Sequence, residues 1–330
     1  MFQVKYPKFL KEESTIGITA PSAGIGVYQE EFNQSLKNLK KNNWNLIETS
    51  NVRKEGDVSS PPKQRAKELY ELFDNQEVDA ILCASGGDFL TDMLPYLQKE
   101  RIKEKWVMGA SDPTNLLYYI TTACDIATMY GHNAGGFDAE KLYTSQLNAF
   151  EFLKGNILPQ ESFPLYEKNK ADRVNGNYAL TEKVEWKSSE EEVDVTGRII
   201  GGCIDCLRYL PGTKYDFTKE FINKYKNDGI IWYFDIFSMN TEDFYLTLFQ
   251  LKEAGWFEHI KSIIVGRILF PSGFTSMTYE KALKETFPNI PIIMEADIGH
   301  VVPKMTIING SIAHITYKKG KGKIEQFLQG

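Results

Sequence analysis

Cysteine and histidine are scarce: four of each in 330 residues. Cys83, Cys124, Cys203 and Cys206 are too few and too scattered for a disulfide framework, which fits reduced thiols. No apolar run approaches the roughly 20 residues that cross a bilayer, so no membrane partner is expected. The opening stretch "MFQVKYPKFLKEEST" lacks the apolar core of a secretory signal, and the expectation is a cytoplasmic protein. Basic excess is also missing. A formal net charge of −6 gives no footprint for nucleic acid. Cys203 and Cys206 form a C-x-x-C, but with no second pair and no histidine nearby in sequence, a zinc site lacks ligands. No metal and no cofactor is expected.

What is present is an alternation of strand and helix signals. "STIGITAPSAG" reads as a strand running into a loop, "YQEEFNQSLKNLKKNN" as a helix, and "WNLIETS" as a second strand. "SPPKQRAKELYELFDNQ" places proline at a helix start. "VDAILCASGGD" and "KWVMGAS" are continuous apolar runs ending in small residues, as buried parallel strands do. This predicts an α/β fold whose N-terminal domain, residues 1–150, is doubly wound on a mostly parallel sheet. Its ligands would gather where "APSAG", "ASGGD" and "GASD" all lie, beyond the carboxyl ends of the strands. Residues 151–195 are polar with an acidic tract and read as a linker. Residues 196–330 form a C-terminal α/β domain with a β-rich core. There "GRIIGGCIDCLRYL" reads as a glycine turn entering a helix, and Asn309-Gly310 as a hairpin turn.

The stretch "WVMGASDPTNLL" puts Ser111 between small residues and a helix-capable run. Serine, aspartate and proline are common at helix starts, so Ser111 reads either as a cap or as a nucleophile. A nucleophilic serine needs a base, and the base an orienting acid. With four histidines, elimination is short. His259 sits at a helix end and His314 alternates within a strand, whereas His132 in "YGHNAGG" and His300 in "DIGHVVP" lie in loops. Both remain candidate bases, with His300 slightly ahead. Asp235 ends the apolar run "GIIWYFD" and is either a solvent-facing strand end or the acid.

Taken in order, "TAPSAG", "ILCASGGDFLTDMLPYL", "WVMGASDPTNLL", "GRIIGGCIDCL", "FDIFSMNTEDFYLTLFQLKEAGWF", "IIVGRI" and "ADIGH" resemble the LD-carboxypeptidase family of serine peptidases, which includes the microcin C-immunity peptidases. The resemblance spans residues 14 to 316. It implies a Ser-Glu-His triad carried here by Ser111, Asp235 and His300, with Asp235 standing where the family has glutamate. It also implies an oxyanion hole from the backbone of Gly87 and Asp112, with Gly86 next. Cys203 stands where family members often carry asparagine near the substrate, and His132 is expected to touch substrate. The implied substrate is a murein tetrapeptide cleaved at an L–D bond or an aminoacyl-nucleotide amide, and the implied assembly a homodimer. A catalytically inactive ligand-binding protein on the same scaffold is the alternative of another class.

Overall fold

The computed structural model describes residues 3–174 and 176–329. Strands β1 (Thr15–Thr19), β2 (Asn45–Glu48), β3 (Val78–Cys83), β4 (Trp106–Gly109) and β5 (Thr128–Tyr130) lie in one parallel sheet of order β5-β4-β3-β1-β2. The run Val78–Cys83 is buried at five of its six positions, because helices cover both faces of such a sheet. Helices α1 (Gln29–Lys40), α2 (Pro62–Asp74) and α3 (Thr114–Cys124) make the crossovers, and α2 begins on its proline as expected.

The expected linker is structured. Helix α4 (Thr144–Lys154) runs through the boundary at 150, and four short strands follow: β6 (Gln160–Glu161), β7 (Leu165–Glu167), β8 (Leu180–Lys183) and β9 (Lys187–Ser188). Strands β6 and β9 form the two edges of the second sheet, while β7 and β8 pair with each other. Edge strands are short and polar, so the segment carries no long apolar run to betray them.

The second sheet is completed by β10 (Glu192–Cys203), β11 (Ile230–Asp235), β12 (Ile260–Gly266), β13 (Ile292–Ala296), β15 (Ile312–Lys318) and β16 (Lys321–Phe327), in the order β6-β16-β15-β10-β11-β12-β13-β9. Its central strands β10 to β13 are parallel. The expected glycine turn at 201–202 is part of β10, whose backbone closes on β11 so tightly that a Cβ on Gly201 would collide with the Tyr233 carbonyl.

The remaining strand, β14 (Ile307–Asn309), corrects the expected hairpin. It pairs antiparallel with β5 in the first sheet, whereas β15 pairs with β10 in the second. Asn309-Gly310 does turn the chain, with Gly310 at φ +86°, but the flanking strands part company. The Asn309 side chain is used up inside, accepting from the Gly201 amide at 3.2 Å and the Tyr233 hydroxyl at 3.0 Å. The chain from β13 to β14 therefore crosses from one sheet to the other, carrying His300 with it. Helix α3 also spans the junction: Tyr118 stacks on Trp256 at 5.3 Å, and Trp256 on Trp232 at 5.5 Å. One apolar cluster fills both halves.

Candidate active site

Ser111 occupies a turn that most residues avoid. Strand β4 ends at Gly109 and α3 begins at Thr114, which leaves four residues for the reversal. Ser111 takes φ +68°, a left-handed conformation that costs a non-glycine residue about 1–3 kcal/mol. Such a turn lifts a side chain off the end of a sheet, as in the strand-turn-helix elbows of serine hydrolases. Its surroundings hold it there. Asn133 clamps the preceding residue, accepting from the Ala110 amide at 2.9 Å and donating to the Ala110 carbonyl at 3.2 Å. Below, the buried Asp112 carboxylate accepts from the Ser22 hydroxyl and from the Leu90 amide at 2.7 Å, tying three strand-end loops together. Burial raises the Asp112 carboxyl, while these two donors and Arg65 pull it back.

Gly86 lies directly against the serine. A Cβ there would come within 2.9 Å of both Ser111 Cβ and Oγ. Among the described residues, no hydrogen bond occupies the backbone N–H groups of Gly86, Gly87 or Asp112. The Asp112 side chain thus serves structure, while its amide is free for a ligand.

The second sheet supplies the partner groups. Asp235 ends β11, fully buried, and its Oδ2 lies 2.7 Å from His300 Nδ1. The His300 amide also donates to Asp235 Oδ1 at 3.2 Å. Close approach depends on Gly299, at φ +97°, because a Cβ there would land on the Asp235 carboxyl group. Burial alone would raise Asp235, but the His300 charge and hydrogen bonds from His300 and Tyr130 outweigh it and hold it below the usual aspartate value. It is therefore ionised and can only accept. That fixes His300 with its proton on Nδ1 and leaves Nε2 as the basic nitrogen. The ring packs on Phe237 with centroids 4.6 Å apart.

Tyr130, at the end of β5, was not singled out by sequence. Its hydroxyl donates to Asp235 Oδ2 at 2.5 Å and accepts from the Ser111 amide at 3.2 Å, joining the serine turn to the acid. Burial, then the neighbouring Asp235, pushes its hydroxyl well above the ordinary tyrosine value, so it stays a donor. A tyrosine at a buried parallel strand end must find a hydrogen-bond partner, which was the available signal.

Both residues expected to touch substrate, His132 and Cys203, lie buried. His132 is only 3 % exposed, its ring lies 5.1 Å from Phe137, and its Nε2 has no partner. Burial, assisted by Lys304, lowers its pKa well below the usual histidine value, so it is neutral packing. The loop contributes Asn133 instead. Cys203 is buried too; the Cys206 thiol, burial and nearby acids raise its pKa well above the ordinary cysteine value, and it offers substrate almost no surface. His259 and His314 lie elsewhere, bonded to Asn223 and to Asp194 and Glu325.

A cleft of about 1080 Å³ opens over Gly86 and Gly87 and is lined also by Tyr28, Lys170, Arg173 and Phe237. Arg173 is held by Glu167 through contacts of 2.7–2.9 Å. The cleft reaches the serine through Gly86, which lies against Ser111. A separate cavity of about 760 Å³ lies around Tyr166, Trp186 and Arg267, and the lining of neither includes Ser111 or His300. No helix among the described residues is long and apolar enough to cross a membrane.

The family models of the LD-carboxypeptidase N-terminal and C-terminal domains match residues 16–131 and 196–315. Microcin C7 self-immunity protein MccF of Escherichia coli is 26 % identical, over 95 % of this chain and 94 % of its own. YocD of Bacillus subtilis, whose name places it provisionally among the carboxypeptidases, is 26 % identical over 97 % of this chain and 98 % of its own. The crystal structure of an MccF-like protein from Bacillus anthracis superposes with a TM-score of 0.83 at 26 % identity, covering 99 % of this chain and all of that one. MccF itself has been solved with aspartyl sulfamoyl adenosine; that structure matches with a TM-score of 0.81 at 20 % identity, over 98 % of this chain and 99 % of its own.

Proposed function

Because this chain belongs to the LD-carboxypeptidase family, we propose that it is a serine-type amide hydrolase acting through Ser111, His300 and Asp235. The observation that carries the reading is the fully buried Asp235 carboxylate, 2.7 Å from His300 Nδ1 and bonded through Tyr130 to the serine turn. Asp235, standing where the resemblance implies glutamate, reaches His300 Nδ1 at 2.7 Å, and the close approach depends on Gly299 having no side chain.

His300 Nε2 removes the Ser111 proton as Oγ attacks the substrate carbonyl. The imidazolium so formed is stabilised by Asp235, which remains ionised. The unoccupied amides of Gly87 and Asp112, with Gly86 beside them, receive the oxyanion charge. His300 returns the proton to the leaving amine, the acyl group stays on Ser111, and water activated by the same nitrogen releases it.

The preferred substrate is a short peptide with a free terminal carboxylate, cut at an L–D bond. On the cleft, Lys170 is the cationic group available to such an end, because Arg173 is already paired with Glu167, and Glu31, Glu55 and Asp138 line the same cleft. The second reading is an aminoacyl-nucleotide amide, favoured by the MccF complex and by Tyr28 and Phe237, exposed aromatic surfaces on which a base can stack. A panel of L–D tetrapeptides and aminoacyl sulfamoyl nucleosides, read by mass spectrometry, decides between them. Loss of the terminal D-residue supports the first, release of the amino acid from the nucleoside supports the second, and no cleavage of any member by folded protein contradicts both.

A further inference from the structure

The C-x-x-C lacks a histidine in sequence but not in space. Cys203 ends β10 in register with Asp235 of β11, and the segment after β13 brings His300 onto Asp235. One donor atom from each of Cys203, Asp235 and His300 lies within 4.8 Å of the others. Among the described residues this is the cluster of three or more cysteine, histidine and acidic side chains with such spacing. Cys206 adds a second thiol beside that of Cys203.

We propose that Cys203, Asp235 and His300 form an inhibitory site for a thiophilic divalent cation, with Zn²⁺ as the best match. Thiolate, imidazole and carboxylate together are zinc's donor set, whereas Mg²⁺ and Ca²⁺ prefer oxygen alone. Gathering the three donors around one ion, at Zn–S of about 2.3 Å and Zn–N of about 2.0 Å, needs shifts on the order of 1 Å. On binding, the Cys203 thiol gives its proton to solvent, and the His300 proton moves from Nδ1 to Nε2, so that Nδ1 takes the ion in place of its hydrogen bond to Asp235. Two anionic ligands offset the divalent charge, which matters because the Lys304 ammonium also acts on Asp235. The ion would engage the Asp235–His300 pair on which proton transfer depends, so its effect is inhibition. That last step rests on the hydrolase reading above; the binding itself does not.

Binding and catalysis are therefore tested separately. Zn²⁺ is titrated into metal-free protein against a chromophoric chelator, with wild type, Cys203→Ser, His300→Ala and Asp235→Asn compared after their folding is checked by circular dichroism. The site predicts one Zn²⁺ per chain for wild type. Loss of one ligand should weaken it by more than the roughly 10- to 100-fold typical of losing a supporting group. Mg²⁺ should not compete. Undiminished binding by folded Cys203→Ser, or no binding by wild type at micromolar Zn²⁺, overturns the site. With a cleaved substrate in hand, Zn²⁺ should reduce turnover reversibly on chelation; activation by Zn²⁺ would overturn the inhibitory role. If zinc binds as predicted but no substrate is cleaved, the hydrolase reading fails and the metal site stands.

Discussion

Two loops of this molecule look alike in sequence and behave oppositely. Both "YGHN" and "IGH" follow an apolar strand, and both present a histidine after a glycine. At the first, His132 turns into the apolar interior beside Phe137, and burial keeps it neutral. At the second, His300 stays partly exposed and, with Tyr130, satisfies a fully buried carboxylate. A buried anion is tolerated only when paired, so Asp235 recruits the ring and orients it. The lesson is that the charge behind a loop histidine, which the fold alone brings into place, sets the proposed base apart from a packing histidine.

The comparison breaks if the two histidines prove interchangeable. Ser111→Ala and His300→Ala should each lower kcat/KM by about 10⁴-fold or more, and the double variant should be little worse, because members of one catalytic unit are not additive. Removing the charge but not the shape, Asp235→Asn should cost about 10²- to 10⁴-fold. Asp235→Glu should retain much of the activity if Gly299 leaves room for one more methylene. Tyr130→Phe keeps the ring and deletes the bridge; as a supporting group it should cost about 10- to 100-fold, mainly in kcat.

The smallest effect on activity belongs to His132→Phe, whose signature is instead in stability. Because folding lowers the His132 pKa, the unfolded chain binds the extra proton first. Its contribution is complete above the ordinary histidine pKa of about 6.5 and is lost as pH falls below it, by up to about 1.4 kcal/mol per pH unit. Urea unfolding between pH 7 and pH 5 should show this loss in the wild type and a flatter profile in His132→Phe. Equal slopes would mean that His132 is not buried in the neutral form.

How much of this was legible depends on what kind of signal each part carries. Parallel strands announce themselves as apolar runs, and their order along the chain gave the first sheet and its loop-bearing edge. Ser111 was visible as a small-residue turn, but its left-handed conformation was not. The edge strands β6 and β9 carry too few residues for any period to emerge. Asn309-Gly310 specified a turn correctly and could not say that the two strands leave for different sheets. Tyr130, Asn133 and the meeting of Cys203 with His300 are long-range contacts, fixed by strand register rather than by spacing. The contact of Asp235 with His300 depends on the close backbone approach at Gly299, which no local pattern announces.

The most direct test is covalent labelling with a fluorophosphonate, followed by peptide mapping, across wild type, His300→Ala, Asp235→Asn and His132→Phe. A serine reacts only when a base draws off its proton. The account predicts a single adduct on Ser111 in the wild type, undiminished in His132→Phe, strongly slowed in Asp235→Asn and absent in His300→Ala. An unlabelled Ser111 in folded wild type, or labelling that survives loss of His300 and disappears with His132, would contradict it.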